Sequence, residues 1–307
     1  MVSGRKGEIM KKTKKTYYKR KTTIGDIIIV ILMLLLAILC VLPFLNVIAT
    51  SFSSPRAIMN REITLFPIEF HVGGYKDIVG DARFLRSLAW TAILTVIVVV
   101  INLLMTVLAA YPLTYMSLKG RKVITIYFIF TMVFGAGLIP GFILNRDLGL
   151  LNSPLVLIIP GSLGIFNLII MRNFFLGIPD SLKESAEIDG ANPLQILFKI
   201  FIPLSLPSFA TIGLWVAVGR WNGFQDALFF LPNASQWHPI QLLLYNILQK
   251  TTAVDVSDPG GISAMPPGWD RVVQNASIVV AMAPILCVYP FIQKYFVKGA
   301  TLGAVKG

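Results

Sequence analysis

Six uncharged stretches, each near or above the roughly 20 residues that an α-helix needs to cross a bilayer, restrict this chain to a helical membrane fold. They run from Ile27 to Ala49, Ser87 to Leu118, Val123 to Asn145, Gly149 to Met171, Ile200 to Gly219 and Val272 to Gln293. Hydrocarbon offers no partner to a backbone N–H or C=O, and a helix satisfies both within itself. The fold class expected is therefore an all-α polytopic membrane protein with six transmembrane helices. A hydrophobic content of 55%, a charged content of 14% and a mean hydropathy of +0.74 describe a chain whose solvent is largely lipid, which excludes a pair of soluble domains. The first stretch has the basic front of a signal peptide, but a secretory apolar core spans about 7 to 15 residues and this one is longer, so it reads as a retained span.

The formal charge of +12 raises the question of nucleic acid. Its distribution answers against it, because the basic residues crowd a tail (Lys11, Lys12, Lys14, Lys15, Lys19, Arg20, Lys21) and the short connections between spans. With the N-terminus inside, about two thirds of the 27 lysines and arginines fall on the cytoplasmic side, as the positive-inside rule requires. Both termini are then cytoplasmic. The organisation expected is a basic tail over 1–23, a first span with an extracytoplasmic loop over 24–86, a core domain over 87–298 and a cytoplasmic tail over 299–307. Cys40 and Cys287 fall in apolar runs without metal spacing and read as small buried hydrophobes. His71 and His238 lie in the two long outer loops with no second ligand near them in sequence, so no metal site is expected.

Between the fourth and fifth spans lies the one long amphipathic segment, Pro179 to Pro207. Ser181 followed by Glu184 reads as a capping box, and Asp180, Glu184 and Glu187 complement the positive end of a helix dipole. Gly190 stops that helix, and Asn192-Pro193 supplies an N-cap and a first-turn proline for the next. The second helix carries Leu194, Leu197, Ile200 and Phe201 before Pro203 and Pro207 bend it into the following span. An amphipathic helix pair can also simply lie on a lipid surface. Such helices favour Lys and Arg on the polar face, whereas here Asp180, Glu184, Glu187 and Asp189 outnumber Lys183.

The fifth span continues through Arg220, Trp221, Asn222, Phe224, Gln225 and Asp226. A charge in a span is a functional candidate by default, and here the charges flank aromatic rings in the outer half of the membrane. Aromatic faces beside amides suit a sugar, which offers C–H patches to stack and hydroxyls to bond, so this is a candidate solute path. Trp221 and Phe224 are equally readable as interface anchors or packing residues. Arg220 and Asp226 are six residues apart, about 9 Å of rise on a helix, so pairing within one helix is awkward and each is expected to find its partner elsewhere.

At the amphipathic segment the chain resembles the membrane subunits of bacterial ABC importers. Glu184, Ala186, Asp189, Gly190, Ala191, Phe198, Ile200, Pro203 and Pro207 match their "EAA" loop, with Ser185 where that motif usually has alanine. The resemblance implies the type I importer (MetI-like) fold, with residues 181–201 as coupling helices and Glu184, Ser185, Ala186, Asp189, Gly190, Ala191, Phe198 and Pro203 as the residues that meet the ATPase. It further implies a second permease subunit, two nucleotide-binding ATPase subunits that hold ATP and Mg, and an extracytoplasmic solute-binding protein. The W-N-x-F-x-x-A-L pattern of Trp221, Asn222, Phe224, Ala227 and Leu228 is similar to carbohydrate-uptake permeases of the maltose-transporter type, as is the end of the chain from Tyr289 through Lys294, Lys298 and Thr301 to Gly307. The function implied is a permease subunit for a sugar, more specifically an oligosaccharide, in the bacterial cytoplasmic membrane.

No G-x-x-x-x-G-K-[ST] phosphate loop, H-E-x-x-H helix or nucleophile with a matched base occurs in the sequence, so neither ATP hydrolysis nor another catalytic role is expected of this chain. Three rivals stay open at this point: an ABC permease for a non-sugar solute, an ion-coupled secondary transporter with Asp226 as its ion site, and a polytopic membrane enzyme.

Overall fold

The computed structural model describes residues 23–252 and 267–304, and among these it is helical with no strand. The chain divides into two units, one ending at Leu45 and one beginning at Asn46. The first holds most of α1 (Ile24–Ser51), whose first turn carries Asp26, with its carboxylate accepting from the Thr23 N–H at 2.9 Å. Every side chain from Ile27 to Cys40 is exposed, an apolar surface whose natural solvent is hydrocarbon. Cys40 and, in the last helix, Cys287 are therefore exposed rather than buried, a correction to the sequence reading. An apolar run in lipid has no need to hide its small residues in a protein core.

The second unit continues with α2 (Pro55–Met59), α3 (Gly73–Gly80) and α4 (Ala82–Ala110). Ser54 caps α2 and Asp81 caps α4, each accepting a backbone N–H with its side chain. Burial works against the charge of Asp81, but hydrogen bonds from Arg83 hold its carboxyl below the usual carboxylate range. Then come α5 (Arg121–Val133), α6 (Leu138–Asp147), α7 (Ile165–Leu176), α8 (Asp180–Ile188) and α9 (Pro193–Ile196). A π-helical turn over Leu197–Phe201 leads through α10 (Ile202–Leu204) to α11 (Leu206–Asn222), α12 (Gln225–Phe230), α13 (Ile240–Thr252) and α14 (Trp269–Ala304).

Among the described residues three helical stretches are long and apolar enough to cross a membrane unaided, Ile24–Ser51, Ala82–Thr114 and Trp269–Val288, and three bent pairs bring the number to as many as six. The bends are where continuous spans were expected. Val123 to Asn145 turns by 113° at the Gly135-Ala136-Gly137 break, and Ile200 to Gly219 is part of a pair bent by 79° where Pro203 and Pro207 interrupt the backbone ladder. The expected span Gly149 to Met171 is helical as an α-helix only from Ile165; before that it is turns and one 3-10 turn over Pro154–Leu157. Pro154 and Pro160 each lack an N–H, and irregular backbone at membrane depth survives only where protein answers its polar groups. Asn102, buried in α4, does so: its Nδ2 donates to the Gly161 carbonyl at 3.1 Å, and its Oδ1 accepts from Asn167 at 3.2 Å and Thr106 at 3.4 Å.

The packing centre is α4 with α11, and α14 and α7 close on them. One buried cluster joins Val107, Ala110, Met171, Phe175, Ile196, Phe201 and Ile212, a second joins Leu94, Val98, Leu157, Ala227 and Leu231, and a third Ile78, Phe84, Ile240 and Ala276. The described parts of the loops expected outside are tied down by such contacts. The α13 helix is a missed element: the Ile240 N–H donates to Thr91 Oγ1 at 2.8 Å, and Trp90 Nε1 donates to the Trp237 carbonyl at 2.8 Å. His238 bonds the Leu231 carbonyl at 2.8 Å, while His71 accepts from the Gly73 N–H and meets the Trp269 ring edge-on, so both histidines are structural. The basic residues of 1–22, part of the second outer loop (253–266) and the last residues Lys306 and Gly307 lie outside the described residues. The end expected as a tail from 299 is helical as far as Ala304.

The contact of α3 with α14 leaves no room for a methyl group at Gly74, where a Cβ would stand 2.8 Å from Cγ1 of the fully buried Val272. Gly74→Ala is expected to lower stability by about 1–3 kcal/mol through this overpacking. Thermal unfolding of the detergent-solubilised protein measures it, and an unchanged midpoint would mean the two helices are free to part.

Candidate coupling and solute sites

The amphipathic segment forms a hairpin. Its first helix begins two residues earlier than the capping box placed it, with Pro179 rather than Ser181 as N-cap and no side-chain cap, so the Ser181–Glu184 capping box does not form. Asp180 supplies the first-turn negative charge instead. Gly190 then takes φ +80°, the left-handed conformation that closes the helix, and the Ala191 N–H reaches back to the Ala186 carbonyl at 2.9 Å. The second capping box is present: Asn192 accepts from the Gln195 N–H at 2.8 Å and Gln195 accepts from the Asn192 N–H at 2.9 Å.

The hairpin has a free side and a rooted side. Glu184, Ser185, Asp189, Gly190, Phe198 and Pro203 are exposed, together with Leu182, Leu194 and Ile188, the last at 86%. Ala186 and Ala191 pack on the core, and Ile196, Leu197 and Phe201 are buried in it. A protruding element that keeps apolar side chains uncovered while its base is locked into the bundle has the form of a docking surface. The base involves residues the motif pattern did not reveal. The Tyr111 hydroxyl donates to the Pro193 carbonyl at 3.0 Å, and its ring meets Phe201 and Phe175 edge-on. Two tyrosines four apart at the end of an apolar span are visible in the sequence, but nothing there says which segment they touch.

The second candidate site is a cavity of about 450 Å³ walled by Val98, Leu157, Pro160, Gly161, Val216 and Phe230, with Arg220, Asn222, Phe224 and Asp226 on its rim and floor. Trp221 is not among its lining residues; it is buried, and its Nε1 donates to the Ala281 carbonyl of α14 at 3.2 Å. Phe224 stacks on Tyr245 of α13 with ring centres 5.0 Å apart. Arg220 and Asp226 pair with each other, Nη2 to Oδ1 at 3.0 Å and Nη1 to Oδ2 closer still, which corrects the expectation of separate partners. Separate partners would follow only if residues 220–226 formed one continuous helix. The chain leaves the helical conformation at Gly223, with φ −76° and ψ 130°, and that corner folds Asp226 back onto Arg220. Two carbonyls, of Gly223 at 3.1 Å and Leu157 at 3.4 Å, also accept from the guanidinium, whose buried Nε has no partner among the described residues. Asp226 is thus neutralised in place and also caps the Ala227 N–H at 2.9 Å, which removes the free intramembrane carboxylate that an ion-coupled carrier would need. Among the described residues no group of three His, Cys, Asp or Glu could hold a metal ion.

Residues 107–302 match the family described as binding-protein-dependent transport system inner membrane component. The polygalacturonan/rhamnogalacturonan transport system permease protein YtcP of Bacillus subtilis (strain 168) is 43% identical over 94% of this chain and 100% of its own length. The arabinooligosaccharides transport system permease protein AraQ of Halalkalibacterium halodurans is 29% identical over 89% of this chain and 93% of its own. A chain of a solved bacterial ABC transporter involved in the import of the acidic polysaccharide alginate superposes with a TM-score of 0.81 at 37% identity, covering 91% of this chain and 99% of that one.

Proposed function

This chain belongs to the binding-protein-dependent transport system inner membrane components, and from that premise we propose that it is one of two permease subunits lining the path of an oligosaccharide. It is a membrane transport subunit of an ABC importer and not an enzyme. The observation that carries the mechanism is the hairpin, exposed along Glu184, Ser185, Asp189 and Phe198 and rooted through Ile196, Leu197 and Phe201. On this reading the exposed side sits on a separate ATPase subunit in the cytoplasm, and the excess of basic residues on that side of the spans supports it. Closure of the ATPase pair pulls the hairpin, and α7 and α11, which enter and leave it, swing as rigid bodies to open the path outward. ATP and Mg are held by the ATPase subunits, since this sequence has no phosphate loop. A solute-binding protein delivers cargo on the other face.

The oligosaccharide assignment rests on the named cargo of the relatives and on the cavity, where the Phe224 ring and the Asn222 and Gln225 amides supply a stacking face and hydrogen-bonding groups beside the neutralised Arg220–Asp226 pair. The test is solute uptake and ATP hydrolysis by the complete complex in proteoliposomes, with its binding protein loaded in turn with acidic oligosaccharides, neutral oligosaccharides and peptides. Oligosaccharides are expected to stimulate both activities. Stimulation by peptides alone would refute the cargo, and uptake that runs on an ion gradient without ATP would refute the importer.

A further inference from the structure

Two tyrosines outside the transport motif grip both arms of the hairpin. Tyr111 gives its only hydroxyl proton to the Pro193 carbonyl, so the 2.6 Å bond between the Tyr111 and Tyr115 hydroxyls must be donated by Tyr115. The Tyr115 ring in turn carries the Lys183 ammonium 3.6 Å from its centre, a cation–π contact. Lys183 belongs to α8 and Pro193 to α9, while Tyr111 caps the end of α4 and Tyr115 follows it after the 3-10 turn Pro112–Thr114. The Tyr111 ring, 5% exposed, also wedges between Phe175 of α7 and Phe201 of the π turn.

We infer that Tyr111 and Tyr115 form a clamp that makes the two arms of the hairpin and the end of α4 move as one body, and that they are positioning residues for coupling. The inference rests on the reading of the hairpin as the lever driven by an ATPase. Its physical content is the difference between directional and non-directional contacts. The α7 and α11 helices are continuous in sequence with the hairpin and must follow it, but α4 is not. Apolar contacts of Ile196 and Leu197 alone would let α9 slide past α4, because such contacts have no preferred direction. Sliding the clamp apart strands a buried tyrosine hydroxyl without its partner, a loss that a low-dielectric interior makes expensive. The clamp therefore carries a stroke into α4, the helix that packs against α11 and α7 and whose Asn102 holds the Gly161 wall of the cavity.

The experiment compares uptake per ATP hydrolysed by the complete reconstituted complex, unmutated and with Tyr111→Phe, Tyr115→Phe, Lys183→Met and Lys183→Arg. Phenylalanine keeps the rings and removes only the hydroxyl. The two phenylalanine variants and Lys183→Met are expected to move about fivefold less solute per ATP, and Lys183→Arg, which keeps a cation over the ring, to restore the ratio. An unchanged ratio in Tyr111→Phe overturns the clamp, as does a fall in uptake matched by an equal fall in hydrolysis or in assembled complex. Uptake by the unmutated complex that ignores ATP overturns the lever reading itself, and it is recognised without any variant.

Discussion

Gly190→Pro is expected to abolish uptake, by about a hundredfold or more, while the protein still inserts and accumulates in the membrane. The backbone at Gly190 has φ +80°, and the proline ring fixes φ near −65°, so the elbow cannot keep its path. Proline also deletes the N–H that bonds the Glu187 carbonyl at 3.1 Å, and it pushes the preceding Asp189 out of its near-helical conformation of φ −73° and ψ 4°. These losses together are of the order of 3 kcal/mol or more, which is the origin of the hundredfold. No atom lies within 4 Å of where a Cβ would stand, so crowding contributes nothing and the effect is one of backbone path alone. Asparagine, which tolerates the left-handed region, should therefore keep most of the activity, and alanine should fall between. Uptake measured in cells alongside membrane abundance gives the ranking. Equal uptake by the asparagine and proline variants would show that the geometry of the elbow does not matter.

The second large effect is expected at the corner between α11 and α12. Asp226→Leu leaves the Arg220 guanidinium, whose side chain is 8% exposed, without its counter-charge, and breaking a buried pair in this way costs about 3 kcal/mol or more. Arg220→Met leaves Asp226, 30% exposed, in the same state with more access to relief. The double replacement Arg220→Met with Asp226→Leu removes both charges and should recover much of the stability of the single variants, since an apolar pair of similar volume needs no compensation. Thermal unfolding of the purified protein reads the three changes as a double-mutant cycle. Additive losses would mean that the two side chains do not depend on each other. If the pair is purely structural, the stable double variant keeps its uptake; if the cavity beside it conducts cargo, uptake stays low although stability returns.

The fold was legible in proportion to how far lipid dictated it. An uncharged run as long as Ile27 to Ala49 or Ser87 to Leu118 has one solution in hydrocarbon, and α1 and α4 follow it closely. Hydropathy does not distinguish a continuous helix from apolar chain that turns, which is why Gly149 to Met171 read as a rod although Pro154 and Pro160 were in view. What permits the irregular path is Asn102, about sixty residues upstream, and no local pattern reveals that contact. The hairpin was legible because its punctuation is local: Gly190 and Asn192-Pro193 act on their nearest neighbours. Its first cap lies at Pro179, two residues before Ser181, because Asp180 can open the helix with its negative charge. At the second site Arg220 and Asp226 could be named, but their pairing depended on Gly223 ending the helix, and a single glycine followed by an aromatic residue is weak evidence of a stop.

The Asn102 contacts bear on how such a chain is made. A ribosome releases α4 first, then the turning segment, and α7 last. Until α7 emerges, Asn167 is missing from the side chains that gather around Asn102 at the Gly161 carbonyl. Asn102 can already meet the Gly161 carbonyl by then, and it is its own Oδ1 that still lacks the Asn167 amide. The polar contacts under the irregular segment are thus complete only once chain 65 residues beyond Asn102 has been made.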